Sequence, residues 1–350
     1  MSTELASTYV WHSPLESPYA LAGFPWLQTE GKYRRLPIDP DYPLPSAVDN
    51  LANNTAGGQI RFRTNSPKLA IQVRLAGPAN MYHMPATGQC GFDCYEELEG
   101  TLQYRSTTAF DVKAAEYEAV LFDGGSTETR TIVLNFPLYQ GVEEVSIGLE
   151  AGAAVEAPPA YDHPGVVLVY GTSITQGGCA SRPGLCYTNV LSRRINREFV
   201  NLGFSGSGKG EPELAHVLAT ISDPACLVLD YEANSVTPEL YAQTLPEFIR
   251  IYRESHPDVP ILVLSRISFA KELFDAESRE LQQTRKRMQM ELVHSLQKAG
   301  DRHIHFYDGE KLLSRHAQEC CVDGVHPTDL GFMEMADNLE PVLRRLLSRG

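Results

Sequence analysis

Two rules of hydrophobic spacing divide this chain. Up to about residue 155, apolar and polar positions alternate in short runs, at 59–63, 69–75, 117–122, 131–135 and 142–149. Period-two alternation puts one face of a strand in a core and the other in water. Asn65-Ser66-Pro67, Asp123-Gly124-Gly125 and Tyr139-Gln140-Gly141 interrupt the runs with turn residues. The first half therefore predicts a β-sandwich of jelly-roll type. Residues 151–164 are mostly alanine, glycine, proline and acidic groups, a linker composition. Beyond it the rule changes. Apolar runs without alternation lie at 166–170, 199–202, 226–229, 261–264 and 304–307, and helical patterns near 186–197, 211–221, 238–255, 276–299 and 328–348 separate or follow them. Strands apolar on both faces, alternating with helices, predict a doubly wound parallel sheet covered on both sides. The expected organisation is a β-sandwich accessory domain over 1–155 and an α/β catalytic domain over 165–350.

Composition narrows the functions open to such a chain. Of 350 residues, 43% are hydrophobic and 21% charged, an ordinary globular mix. Thirty basic against 44 acidic residues leave a net charge of −14, which argues against nucleic acid or an anionic membrane as partner. Glu4, His12 and Glu16 break up the first twenty residues, so no secretory signal or membrane span is expected, and the expected location is cytoplasmic. Seven cysteines, an odd number, fit free thiols in a reducing compartment. Cys90-x-x-x-Cys94 with Cys320-Cys321 does not have the spacing of paired zinc knuckles.

The chemistry-bearing residues of the second half stand at predicted strand ends. Ser173, in Gly171-Thr172-Ser173-Ile174-Thr175, follows the first strand. Gly206, in a glycine-rich run from Gly203 to Gly210, follows the second, and Asn234 the third. Asp323-Gly324-Val325-His326 precedes the last helix. Ligands of open α/β sheets sit at these ends. A serine hydroxyl needs a base to become a nucleophile, and His326 can serve, oriented by Asp323. The Ser173 and Gly206 amides and the Asn234 side chain can stabilise an oxyanion. Alone, each residue has a plainer reading. Ser173 or Asn234 can cap a helix, Asp323 and His326 can pair in a loop, and the glycines can form a flexible turn. Gly203-x-x-x-x-Gly208-Lys209-Gly210 approaches a nucleotide-binding P-loop but lacks the Ser or Thr after its lysine. A non-enzymatic glycan-binding module with a degenerate second half is a further rival.

The four blocks, in this order, resemble the SGNH (GDSL-like) hydrolase superfamily. Thr172 stands where Asp is usual, and Glu232-Ala233-Asn234 is a loose version of the asparagine block. Gly91-Phe92-Asp93-Cys94-Tyr95 is similar to the Gly-x-Asp-Leu-Tyr motif of the β-domain that accompanies one branch. The resemblance implies an SGNH, flavodoxin-like catalytic fold and a serine esterase acting on short-chain, chiefly acetyl, esters of carbohydrates. The alternative it implies is an acyltransferase serving a small-molecule alcohol. It further implies that His83, Met84 and Asp93 line the substrate site. No metal or organic cofactor is expected. The expected partner is a small-molecule or oligosaccharide ester, and self-association is left open.

Overall fold

In the computed structural model, residues 9–313 and 317–348 are described. The chain divides into two compact units, one of Met1–Arg35, Asn53–Tyr161 and Ser181–Gly184, the other of Leu36–Ala52, Asp162–Ala180 and Leu185–Gly350. The main division falls at Tyr161/Asp162, inside the predicted linker. Two exchanges depart from the expected boundaries, since 36–52 joins the second unit and 181–184 the first.

The first unit is built from antiparallel strands β1 (Tyr9–His12), β2 (Ala20–Ala22), β3 (Gln59–Thr64), β4 (Lys68–Leu75), β5 (Asp93–Leu98), β6 (Thr101–Thr107), β7 (Glu116–Asp123), β8 (Arg130–Asn135), β9 (Val142–Glu150) and β10 (Val155–Glu156). One sheet runs β1-β9-β4-β7 and the other β10-β3-β8-β5-β6, with β2 paired to β3. Apart from the β5–β6 hairpin, the chain from β3 to β9 changes sheet at every step. Ile60, Phe62, Ile132 and Leu134 from one sheet and Leu69, Ile71, Leu121 and Ile147 from the other meet in a single core. Inward apolar positions on both sheets make this a sandwich. Of the motif Gly91–Tyr95, the residues Asp93, Cys94 and Tyr95 open β5.

The second unit is a five-stranded parallel sheet of β11 (Val166–Gly171), β12 (Phe199–Gly203), β13 (Pro224–Asp230), β14 (Ile261–Leu264) and β15 (Ile304–Tyr307), in the order β12-β11-β13-β14-β15. Its main helices are α1 (Ser173–Gln176), α2 (Tyr187–Ile195), α3 (Pro212–Ala219), α4 (Pro238–Ser255), α5 (Ala276–Lys298) and α6 (Asp329–Leu347). α2 packs with α6, and α4 packs with α3 and α5. Val167, Leu168, Val169 and Tyr170 are at most 1% exposed, as a central strand covered on both faces requires. The chain enters at β11, goes outward to β12, then returns past β11 to β13. This reversal is the topological switch point where open α/β sheets bind ligands. Register places Gly171 level with Gly203 and with Asp230, so β11, β12 and β13 finish side by side. Proline-rich 37–45 hid the helical turn Ser46–Leu51, whose Val48 is buried in this unit.

Candidate active site

Ser173 opens α1 directly after β11. The cap belongs to Thr172, whose hydroxyl accepts from the Ile174 N–H at 3.2 Å, while Thr175 Oγ1 accepts from the Thr172 N–H at 3.2 Å. Threonine thus does the capping work open to an aspartate at this place, and the capping reading of Ser173 falls away. Thr175 Oγ1 and Tyr187 Oη each donate to Asp230 Oδ2 at 2.8 Å. That ties the nucleophile turn to the end of β13. Burial pushes the Asp230 carboxyl up to about 7, against its two hydroxyl donors.

The turn after β12 is bonded almost atom by atom. The Phe204 N–H donates to Gly171 O at 3.0 Å, and Ser205 N–H to Gln176 Oε1 at 3.1 Å. Ser207 and Gly208 N–H both reach Phe204 O, Lys209 N–H reaches Glu211 Oε1, and Gly210 N–H reaches Tyr170 Oη at 2.7 Å. Of residues 204–210, Gly206 alone has an N–H without a partner among the described residues. Its φ is +65°, a conformation glycine adopts without strain, and the residue is exposed. A phosphate cradle needs several free N–H groups in a row, so the P-loop reading fails here.

Asn234 ends a short 3-10 turn after β13. It is half-buried and donates one amide hydrogen to Phe204 O at 3.1 Å, which leaves the second for a ligand. The cap of α4 is Thr237, not Asn234. Behind the turn, Glu232 is 1% exposed and accepts from the Arg266 N–H and from Gln289 Nε2. Burial raises its pKa, and the Arg266 charge opposes that rise.

His326 reaches Ser173 from the loop before α6. Its Nε2 lies 2.8 Å from Ser173 Oγ and its Nδ1 2.8 Å from Asp323 Oδ2. Asp323 Oδ1 accepts from the backbone N–H groups of His326 at 2.8 Å and Val325 at 3.0 Å. Burial opposes ionisation of Asp323, but these donors outweigh it, and its pKa falls below the ordinary aspartate value. An ionised carboxylate only accepts, so Nδ1 carries the ring proton and Nε2 is left to accept from the Ser173 hydroxyl. The loop closes on itself through Val322 N–H to His326 O and on its neighbour through Ala270 N–H to Gly324 O. Thr328 caps α6.

A serine, a histidine and an aspartate in one hydrogen-bonded row, with an unpartnered glycine amide and an amide side chain on the neighbouring strand ends, can attack a carbonyl and hold the resulting oxyanion. Cys179 is no rival, because burial pushes its thiol up to about 12. Burial likewise raises Cys90 to about 12 and Cys94 well above its ordinary value, so neither is a ready thiolate for a metal. A cavity of about 280 Å³, lined by Phe269, Ala270, Glu272, Gln282 and Gln283, adjoins the residue that bonds Gly324. A groove of about 360 Å³, lined by Pro45, Val48, Ser207, Lys209 and Leu240, borders the Gly206 turn.

The sandwich residues expected at the substrate site fare differently. Asp93 is fully buried. It accepts from Asn135 Nδ2 at 2.7 Å, Arg182 Nη1 at 2.8 Å and the Gly184 N–H at 2.7 Å. Both its oxygens are spent on the first unit's own structure, so the substrate role is withdrawn for Asp93. Arg182 also donates to Tyr95 Oη at 2.7 Å and stacks on Tyr104. Met84 is 4% exposed and its carbonyl accepts from Gln89, while His83 is partly exposed. The sequence reading overlooked Thr175, Asp230 and Tyr187. A carboxylate at the buried end of a strand was the available signal for the middle one.

Comparisons with known proteins identify the family. Residues 165–344 match the model of the GDSL-like lipase/acylhydrolase family, and residues 9–155 match that of the GxDLY N-terminus of SGNH-type esterases. A protein from Bacteroides ovatus ATCC 8483 described as a GDSL-like lipase is 30% identical, with 97% of this chain and 98% of that one aligned and a TM-score of 0.89. The salicylyl-acyltransferase SsfX3 from a tetracycline biosynthetic pathway shares 21% identity over 97% of each chain, with a TM-score of 0.79. An acetyl xylan esterase, Est2A, from the rumen bacterium Butyrivibrio proteoclasticus shares 14% identity over 97% of this chain and 99% of its own, with a TM-score of 0.59. No curated protein sequence matches significantly. A catalytic-domain match over more than half the chain, together with a 30% identical structure aligned over nearly all of it, makes this chain a member of the GDSL-like lipase/acylhydrolase family, and an esterase.

Proposed function

We propose that the enzyme removes short acyl groups, acetyl above all, from carbohydrate esters through an acyl-enzyme on Ser173. The observation that carries the mechanism is the continuous row Ser173 Oγ–His326–Asp323, with both contacts at 2.8 Å. Ser173 Oγ attacks the ester carbonyl as its proton passes to His326 Nε2. The tetrahedral oxyanion is held by the Ser173 and Gly206 N–H groups and the second N–H of Asn234. Collapse breaks the carbon–oxygen bond to the sugar, and His326 returns the proton to the leaving alcohol. Water then enters by the same route, and its attack releases the acid and restores the serine. Asp323 fixes the imidazole tautomer and stabilises the imidazolium.

Three points support a carbohydrate ester. The net charge of −14 favours a neutral substrate over an anionic one. The cavity whose Ala270 bonds the Gly324 carbonyl of the His326 loop offers the ring of Phe269 and the amides Gln282 and Gln283, groups suited to sugar rings. Among enzymes of this fold are an acetyl xylan esterase and a carbohydrate esterase whose structure was obtained with cellohexaose. Acyl transfer to a small-molecule alcohol is the second reading, favoured by the full-length likeness to a salicylyl-acyltransferase. It changes only the nucleophile of the second half-reaction.

The test is a panel of acetylated oligosaccharides assayed for acetate, run beside acyl-CoA and aryl ester donors with added alcohols. Acetate release from the saccharides is the expected result. Turnover restricted to acyl-CoA or aryl donors, with the acyl group recovered on the added alcohol, would replace hydrolysis by transfer.

A further inference from the structure

We propose that Glu232 is a positioning residue for catalysis, holding Asn234 at the oxyanion through a buried charge cluster. The inference rests on the oxyanion role given to Asn234 above. The 3-10 turn Glu232–Asn234 is a single turn, closed by the Asn234 N–H to Tyr231 O and the Ser235 N–H to Glu232 O, yet it must present one amide hydrogen at a fixed point. Its outer end is tied through Asn234 Nδ2 to Phe204 O, the same carbonyl that organises the Gly206 turn. Its inner end is tied through Glu232, which points away from solvent.

Two residues, Arg266 and Gln289, converge on that carboxylate. The Arg266 N–H donates to Oε2 at 2.9 Å and Gln289 Nε2 donates to the same oxygen at 2.7 Å, while Arg266 Nε lies 3.6 Å from Oε1. Arg266 is itself held on three sides, by Glu272, by the Ile267 carbonyl at 3.0 Å and by the ring of Phe269 at 4.1 Å. From α5, Arg285 Nη2 donates to Val236 O at 3.1 Å, just beyond Asn234. The residues before and after Asn234 are therefore fixed from two directions, by the end of β14 and by α5. All of Glu232, Arg266, Glu272, Arg285 and Gln289 are at most 9% exposed. Burying two acids and two guanidinium groups behind a turn costs free energy that apolar residues would not, since each ion loses its water. A fold alone does not require that cost. A turn that has to hold a donor in place during charge development is a reason to bear it, because an oxyanion donor acts only if it is already oriented.

The geometry sets an experiment. Asn234→Ala should lower kcat about 10²–10³-fold, the usual effect of losing one oxyanion donor. Glu232→Gln keeps the size of the side chain and should lower kcat about tenfold with KM changed less than twofold. Because Glu232 acts through Asn234, adding Glu232→Gln to Asn234→Ala should cost less than a further twofold. The end-point of labelling by a serine-reactive phosphonate counts correctly folded sites, so every kcat is expressed per labelled serine. Gln289→Met, which removes one donor to Glu232 Oε2 while the Arg266 N–H still holds that oxygen, serves if Glu232→Gln folds poorly, and should show a smaller loss with the same background dependence. A Glu232→Gln loss of equal size in both backgrounds overturns the positioning role while leaving the oxyanion role of Asn234 standing. An unchanged kcat in Asn234→Ala overturns that oxyanion role itself, and Glu232 with it.

Discussion

Two motif carboxylates of this chain, one in each unit, have opposite surroundings. Asp323 stands in the loop before α6 with 28% of its side chain exposed, and it faces an imidazole and two backbone N–H groups. Asp93 stands at the start of β5 with its side chain wholly buried, and it faces a guanidinium, an amide and a backbone N–H. In sequence the two look alike, as an acid inside a short conspicuous motif. Environment separates them. A carboxylate that can be reached from solvent and touches an imidazole can orient a proton transfer, whereas one enclosed with an arginine has spent its capacity on holding chain segments together. The same contrast predicts which substitutions damage chemistry and which damage the fold.

The widest separation is expected at the residue next to the imidazole. Ser173→Ala should reduce turnover of p-nitrophenyl acetate by about 10⁵–10⁶-fold while leaving the thermal transition within a degree or two, and His326→Ala should behave alike. Steady-state rates and a melting curve on one preparation check both halves. Appreciable residual turnover in Ser173→Ala would mean that another group attacks the ester.

Asp323→Ala should fall next, with a loss of about 10²–10⁴-fold, since an unoriented imidazole still accepts a proton. Its stability cost should be small, because Asp323 is partly solvated. Acid should mimic the substitution. The Asp323 pKa is depressed in the folded state, so the order it gives the loop is present above the ordinary aspartate value and is lost as pH falls through the lower folded one. The rate profile of wild type should therefore carry, below about pH 4, a limb that Asp323→Ala lacks.

Much of this was readable before any coordinates. Apolar runs bounded every strand of the parallel sheet to within two residues, since a strand buried on both faces has nowhere to place a polar group. Chain order alone aligned Ser173, Gly206 and Asn234 with three adjacent strand ends, as the doubly wound plan brings all such ends to one side. What stayed hidden depended on partners far apart in sequence. Nothing local to Asp93 reveals that Arg182 and Gly184 lie against it, and its place in a motif rich in aromatic and polar neighbours suggested a ligand site. Glu232 read as part of a loose asparagine block, although Gln289 and Arg266 explain its presence. The helix Ser46–Leu51 was hidden as well, because prolines and turn residues precede it.

The Asp93 side of the comparison predicts the reverse of Asp323. Asp93→Ala strands the Arg182 guanidinium with 15% of its side chain exposed and removes three hydrogen bonds. Breaking a buried pair from one side costs about 3–5 kcal/mol, enough to lower the thermal transition by roughly 5–15 °C. Calorimetry reads that shift. If Asp93→Ala instead raised KM for a saccharide ester at an unchanged transition temperature, the carboxylate would be a substrate ligand after all and the contrast would collapse.

A third carboxylate tests the comparison at its finest. Asp230 is buried like Asp93 but has hydroxyls in place of a guanidinium, from Thr175 and Tyr187, and its pKa stands near 7. Because the folded value lies above the unfolded one, folding takes up a proton between about pH 4 and 7. The stability Asp230 contributes is thus present below pH 4 and is lost as pH rises through 7. Asp230→Asn keeps an acceptor for both hydroxyls and cannot ionise, so it should flatten the fall in transition temperature between pH 5 and 8 while changing kcat only a few-fold. A wild-type transition temperature that rises across that window in parallel with Asp230→Asn would show that Asp230 stays ionised. Burial without a cationic partner would then be too weak to set the state of a carboxylate here, and exposure could no longer be the variable that sorts the three.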